Sequence, residues 1–507
     1  MAAWPPRSTA RKVLVITGGI PYAPDAMKKP FTLPSLLCLV LVSFAKGQTI
    51  PNYPAANLAL GQLSFTTNAA ATTASGLNNP SAVVVDPVSR KVFVADENNN
   101  RVLRYGSAAA LASGAAAEAV LGQADLTSAV NLAPPTAQSM VAPSGLFLDP
   151  QGRLWVADNG NNRVLMFTAA VGAASGAAAD RVYGQATFTT SSSATTDVAM
   201  DNPVGVWIDS ADRLWVADSS NNRVLRFDAI TSKLSGAAAN GVLGQPNFTT
   251  SASGNTAAQL YVANALAVSP TGALFVASTG NNRVVRFDNA AALANGANAT
   301  VIFGQPDFAT TSSSATAVKM TSPRGLTVTS SDALWVCDTS TNRVIRFDQA
   351  STRSSGAAAN GVVGQPDLVS GGFTTLNAKG LNAPSRSPFV DSTGSLWVAD
   401  QSNRRVLRYA PLPVVLPDVT APLLTQTGKT PKSTASKFVK IKGRARDASG
   451  IRNVRYRVNK GPFTLATGKT SWSFKANLKK GKNTITIIAT DNAGNPSLSR
   501  VIKITRK

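Results

Sequence analysis

The sequence predicts an all-β chain: a six-bladed β-propeller whose N-terminal strand closes the last blade, followed by a small β-sandwich. Two recurrences and one alternation carry this expectation. The stretch Leu214 to Phe227 reads as two short strands, Leu-Trp-Val-Ala and Arg-Val-Leu-Arg-Phe, joined by a polar turn. It occurs six times, anchored by Arg101, Arg163, Arg223, Arg283, Arg343 and Arg405, with successive spacings of 62, 60, 60, 60 and 62 residues. A Gly-Gln pair keeps the same beat, at Gly61, Gly122, Gly184, Gly244, Gly304 and Gly364. Self-similarity at this period, with four short strands per unit, is the mark of a propeller, whose blades bury their faces only by stacking.

Taken in order, residues 1–26 read as a mis-called upstream extension and residues 27–47 as an export signal. Met27-Lys28-Lys29 supplies the positive start, Leu33 to Phe44 a mostly apolar run, and Ala45-Lys46-Gly47 a small-residue cleavage site. The run is too short to remain in a bilayer, so no transmembrane segment is expected after signal removal. The alternative, Val13 to Gly19 as a nucleotide-binding strand and turn, lacks a third glycine and a following helix. Cys38 lies in the apolar run behind Leu37, where a lipid-acylation site would have a small residue. The second cysteine, Cys337, stands where the five other repeats have Ala, and reads as a small core residue.

The propeller is assigned to residues 48–411. In the third repeat, Pro203–Asp209 is the innermost strand, Arg213–Ala217 and Arg223–Phe227 follow, and Gly241–Gln245 is the fourth. No Gly-Gln strand follows the last hairpin, whereas one precedes the first, at Leu58 to Gln62. That early strand is therefore expected to complete blade six and remove the exposed edges of an open array.

The formal charge of +23 is unevenly spread. Residues 48–412 are nearly neutral, at +1, whereas residues 413–507 carry twenty Lys and Arg against three Asp, net +17. A proline-spaced linker, 412–420, leads to a basic module at 421–507. Its strands are expected around Phe438–Gly443, Val454–Val458, Trp472–Phe474, Asn483–Ala489 and Val501–Ile504, alternating with period two. Lys440, Lys442, Arg455, Arg457, Lys479, Lys480 and Lys482 are its candidates for binding an anionic surface.

Asp96, Asp158, Asp218, Asp338 and Asp400 precede Arg101, Arg163, Arg223, Arg343 and Arg405 by five residues. They read as pairs that lock each hairpin; repeat four has Ser278 instead. Trp155, Trp215, Trp335 and Trp397, with Phe93 and Phe275, share one strand position and read as fillers between blades. The chain has no histidine. That excludes a Ser-His-Asp triad, a His-liganded zinc and a His general base. Asp86, Asp149, Asp209 and Asp391 close the inner strands and read as turn caps, with a calcium site as the alternative. The loops Phe188–Thr196, Phe248–Thr256 and Phe308–Thr316 are long, rich in Ser and Thr and nearly uncharged. They are expected on the same face as the hairpin turns, suited to a polar ligand.

The phrases Pro-x-Gly-Val-x-x-Asp, Gly-x-Leu-Trp-Val-Ala-Asp and Asn-Asn-Arg-Val-Leu-Arg-Phe resemble the NHL repeat family, over about residues 55–411. This resemblance implies a six-bladed propeller. The family's members bind RNA or protein, and relatives are lyases or lactonases, so fold does not choose the function. The phrases Asp447 to Ile451, Leu478 to Asn483 and Ala489 to Asn495 resemble bacterial immunoglobulin-like modules, which implies a spacer or adhesion role.

The expected function is an exported, secreted or cell-surface (periplasmic) bacterial binding or scaffold protein, not an enzyme. Its loop face would take a protein or glycan, and its basic module an anionic polymer or cell surface. Nucleic acid is not expected as a partner, no catalytic residue is assigned, and no cofactor is expected beyond the calcium alternative. The alternative function is a propeller enzyme, a lyase, lactonase or polysaccharide-acting enzyme, using Asp carboxylates and calcium.

Overall fold

A computed structural model describes residues 50–412 and 418–507. The upstream extension, the export signal and most of the proline-spaced linker lie outside the described residues. Six four-stranded antiparallel sheets make up the repeats. Blade three is Pro203–Ile208, Leu214–Asp218, Arg223–Phe227 and Gly241–Leu243, in that spatial order from the inside outward. The other blades repeat this plan, and the inner strands of successive blades touch around a ring.

Blade six closes as the strand count requires. Its outermost strand is Leu58–Leu60, paired antiparallel with Arg405–Tyr409 through Leu58–Arg408, Ala59–Leu407 and Leu60–Val406. Its inner strand is only Phe389–Val390, because the prolines at 384 and 388 remove backbone donors just before it. A bridge between Ala82 and Ser387 still links blade one to that segment.

Aromatic residues at the shared strand position pack between blades. Trp215 joins Leu266, Val276 and Phe287 of blade four, and Trp335 joins Leu396 and Val398 of blade six. Every one of the six is at most 4% exposed, which leaves no face for stacking on a sugar or base. The Gly-Gln marker also has a physical reason. Gly244 adopts φ +86°, and a Cβ there would lie 2.6 Å from Leu260 Cδ1. The buried Gln245 Nε2 then donates to the carbonyls of Asn222 and Ala252, tying the hairpin turn to the outgoing loop.

The C-terminal residues form two sheets. One is Leu423–Thr427, Phe438–Arg446 and Ser471–Asn477; the other pairs Ser433–Thr434, Arg500–Arg506, Gly481–Asp491, Ile451–Val458 and Thr464–Leu465. Val439, Ile441, Trp472 and Phe474 from the first sheet meet Val454, Ile485, Ile487 and Ile502 from the second in one apolar core. Strands Leu423–Thr427, Ser433–Thr434 and Thr464–Leu465 lacked the alternating pattern and went unseen in the sequence.

Candidate functional site: the loop face, the channel and the basic sheets

The repeat hairpin builds the loop face from below. Asp218 is fully buried, and Arg223 Nε donates to its Oδ2 at 2.7 Å. Asn221 Nδ2 donates to the same oxygen, and the Asp201 amide to Oδ1. Burial pushes the Asp218 carboxyl up to about 6, against the pull of the Arg223 charge and these hydrogen bonds. The arginine does more than the hairpin lock expected of it. Its Nη1 donates to Phe248 O in the outgoing loop, and its Nη2 to Thr196 O and Ala199 O in the incoming one. Arg101, Arg163, Arg343 and Arg405 do the same, each pairing with its aspartate at 2.7–2.8 Å. Each repeat arginine thus pins two loops and a turn.

The turn asparagines complete the frame. Asn222, in the left-handed region at φ 53°, donates from Nδ2 to Ser251 O and accepts from the Val262 amide of the next blade. Blade four shows what happens without the aspartate. Ser278 Oγ accepts from the Tyr261 amide and from Asn281 Nδ2, both at 3.0 Å, but Arg283 Nε has no acceptor. Burial without a paired carboxylate pulls the Arg283 guanidinium down to about 10.

The Ser/Thr-rich loops therefore emerge on the hairpin-turn face, held at fixed carbonyls. The face is not purely polar. Val198 and Val318 stand exposed two residues beyond two of these loops, and Val130, Val369 and Phe373 on the corresponding connections of other repeats.

The closing aspartates of the inner strands accept hydrogen bonds from the strand that follows. Asp149 Oδ2 accepts from Trp155 Nε1 at 3.0 Å and from Arg153 Nε, and Asp209 does the same for Trp215 and Arg213. Asp391 accepts from Trp397 Nε1 at 3.0 Å. Asp86, Asp149, Asp209 and Asp391 do not converge within metal-ligand distance. Among the described residues the only carboxylate group that does is Asp418, Asp447 and Asp491 in the C-terminal module, whose oxygens lie within 4.8 Å of one another. Most of those oxygens already accept hydrogen bonds, Asp491 from Gly494, Asn495 and its side chain, Asp447 from Ser449.

The propeller channel is closed by packing. Leu146, Phe147, Val206, Trp207, Leu266 and Leu326 line a residual space of about 30 Å³. The inner strands approach so closely that a Cβ at Gly205 would lie 2.9 Å from Ala265 Cα. Beside this plug the structure reveals charges that the sequence reading missed. Arg386 Nη2 lies 3.3 Å from Glu97 Oε1, and Gln401 Nε2 donates to Glu97 Oε2 at 3.1 Å. Burial raises the Glu97 carboxyl, and the charges of Arg386 and Arg324 oppose the rise. The signal was present at the second residue of the inner strands, which is Ser81, Ser144, Val204, Asn264 and then Arg324.

The candidate anion-binding residues of the module do not form one patch. Lys440, Lys442, Arg444 and Arg446 project outward from Phe438–Arg446, and Lys475 lies opposite Lys440 on the neighbouring strand. Arg455 and Arg457 project from the other sheet, over the Phe463 ring at 5.8 and 4.9 Å. Lys479 and Lys480 are exposed at the turn between Ser471–Asn477 and Gly481–Asp491, and Lys482 at the start of the latter strand. The candidates thus lie on two opposed basic faces and a turn. No ion pair forms among the described residues of the module, so its positive field is uncompensated. Trp472 and Tyr456 offer no platform for a base: Trp472 is buried, and Tyr456 stacks on Phe474 at 3.7 Å.

Among solved structures, a protein of unknown function from Bacteroides thetaiotaomicron aligns at TM-score 0.43 and 15% identity, covering 69% of this chain and 74% of its own. An auxiliary nutrient binding protein from Bacteroides ovatus aligns at 0.42 and 13%, covering 70% and 76%. Virginiamycin B lyase from Staphylococcus aureus aligns at 0.36 and 15%, covering 66% and 85%. Likenesses this distant say nothing of activity. No curated protein matches the chain. No described helix is long and apolar enough to cross a membrane. The NHL repeat family model matches residues 142–167 and 200–227, which are the first three strands of blade two and of blade three. The chain carries NHL repeats, built into a six-bladed propeller.

Proposed function

We propose that this chain is an exported, non-enzymatic binding protein. The propeller presents its loop face to a protein or a glycan, and the basic C-terminal module, which we take to be immunoglobulin-like, associates with an anionic surface. The observation that carries this reading is the pinning of the loops above a closed channel. Buried guanidinium groups hold the loop carbonyls in each blade, so the face is preorganised and little ordering entropy is lost when a partner docks. The packed channel beneath it holds a space of only about 30 Å³, whereas a cleft of about 510 Å³ opens among the loops, lined by Gln123, Ser128, Val130, Leu132 and Gln138. The mixture of Ser/Thr hydroxyls with exposed valines and Phe373 suits a partner having both polar and apolar surface. No cofactor is needed for such binding.

The uncompensated charge of the module supports the second half of the reading, because attraction of this kind is long-ranged and unselective. The test is a binding screen of the full chain against glycans, extracellular-matrix proteins and anionic polymers, over a salt series. Binding to anionic polymers should weaken steeply between low and physiological salt, since the Debye length shrinks to about 8 Å at 0.15 M. Affinity that does not change with salt rejects the electrostatic part. Turnover of a polysaccharide or lactone by the purified chain rejects the non-enzymatic part.

A further inference from the structure

We propose that Arg324 and Arg386, at the turn end of the channel, bind a single monocarboxylate. The inference goes beyond the loop-face reading and does not depend on it. Three features single these arginines out. First, they are unsatisfied, Arg386 at two nitrogens, where Arg283 and Arg506 each lack an acceptor at Nε alone. Nε and Nη1 of Arg386 and Nε of Arg324 are closed off from solvent with no acceptor, whereas Arg101, Arg163, Arg223, Arg343 and Arg405 each bond an aspartate and two loops. A buried donor left without an acceptor is costly, more so when charged. Second, the neighbouring Ser385 hydroxyl is wholly buried and also lacks a partner. Third, no fold requirement places arginine here, because the equivalent second positions in other blades are Ser81, Ser144, Val204 and Asn264, which bond locally or pack.

The charge and the space set the class of ligand. Two guanidinium groups face one carboxylate, Glu97, which is ion-paired to Arg386 and held by Gln401. The cluster has one positive charge in excess, which a monoanion neutralises. A phosphate dianion would over-neutralise it and be repelled by Glu97. The planar fork of a guanidinium matches the two oxygens of a carboxylate. The apolar plug alongside, with its space of about 30 Å³, admits no more than a small group, so the rest of the ligand must lie outside the channel.

The test uses the full chain at constant ionic strength, with acetate and glucuronate as carboxylate probes, and glucose and inorganic phosphate as controls. Calorimetry and thermal shift should show both carboxylates binding, glucose not binding, and phosphate binding at least tenfold more weakly. Arg386→Met and Arg324→Met, which keep the side-chain volume, should each weaken carboxylate binding at least tenfold. Glu97→Gln should tighten it severalfold, an increase that a purely structural cluster would not give, and this variant serves even if the arginine variants fail to fold. Acetate binding without glucuronate binding would restrict the site to unsubstituted carboxylates and still support it. No carboxylate binding at millimolar concentration, phosphate binding as tightly as acetate, or weaker binding by Glu97→Gln would each overturn the proposal.

Discussion

Replacing Asp218 by serine or by alanine separates the parts of the repeat network. Blade four already shows the serine arrangement, in which Ser278 keeps the bonds to the Tyr261 amide and to Asn281 and gives up only the arginine Nε. Asp218→Ser should likewise keep the bonds to the Asp201 amide and Asn221, while losing the 2.7 Å bond from Arg223 Nε. Both variants leave the buried Arg223 guanidinium with no counter-charge, a cost of about 3–5 kcal/mol, and Asp218→Ala in addition leaves the Asp201 amide and Asn221 Nδ2 without an acceptor, about 1–3 kcal/mol each. Equilibrium urea unfolding, followed by tryptophan fluorescence, reads both as shifts of the midpoint at an unchanged slope. The serine variant should fall about midway between wild type and alanine. If serine costs as much as alanine, or if neither costs more than about 0.5 kcal/mol, the aspartate does not hold the turn in the way its bonds imply. The reverse change, Ser278→Asp, gives Arg283 Nε the acceptor it lacks and should recover part of that cost, the desolvation of the new carboxylate taking the rest.

Three further outcomes follow from the same structure. The Asp218 carboxyl titrates near 6 in the folded chain against an ordinary value of 3.8, so its contribution to stability is fully present below about pH 4 and is lost as pH rises through 6. The stability advantage of wild type over Asp218→Asn should therefore shrink between pH 4 and pH 7, and an advantage that grows would reverse the sign. Gln245→Ala removes the donor to Asn222 O and Ala252 O and should raise amide exchange in the loop around 248–256 at least tenfold, with little change in the other blades. Cys337 is wholly buried, and burial beside Asp338 drives its thiol far above the usual range, so it should stay unreactive toward a thiol reagent until the chain is unfolded.

The architecture was legible because the same residues return every sixty positions, and only a common geometry requires that. The hairpin, the Gly-Gln strand and the closing strand at Leu58–Leu60 could each be placed from spacing alone. Reach was not legible. Nothing in Asp-x-x-Asn-x-Arg says that the arginine extends past its own hairpin to carbonyls 24 to 27 residues earlier and 25 later. The unsatisfied arginines were missed for the opposite reason. A search for repetition discards what appears once, and Arg324 and Arg386 are departures from the repeat. In the C-terminal module, alternation correctly set Lys440 and Lys442 on one side of their strand and Arg455 with Arg457 on one side of theirs. It could not say that the two strands belong to different sheets, which depends on long-range pairing.

The closing strand ties residue 58 to residue 408 across almost the whole propeller. A closure of about 350 residues carries an entropic cost of about 5 kcal/mol by the logarithmic law. Three ladder positions and the side chains they bury must meet that cost together, and they can do so only after the last blade exists. A chain emerging N-terminus first from a ribosome or a translocation pore would hold its first strand unpaired throughout, with Leu58 and Leu60 unburied, until Tyr409 had cleared. Ring closure is thus an ordered last event. A holding chaperone would find its target in the first dozen residues of the propeller.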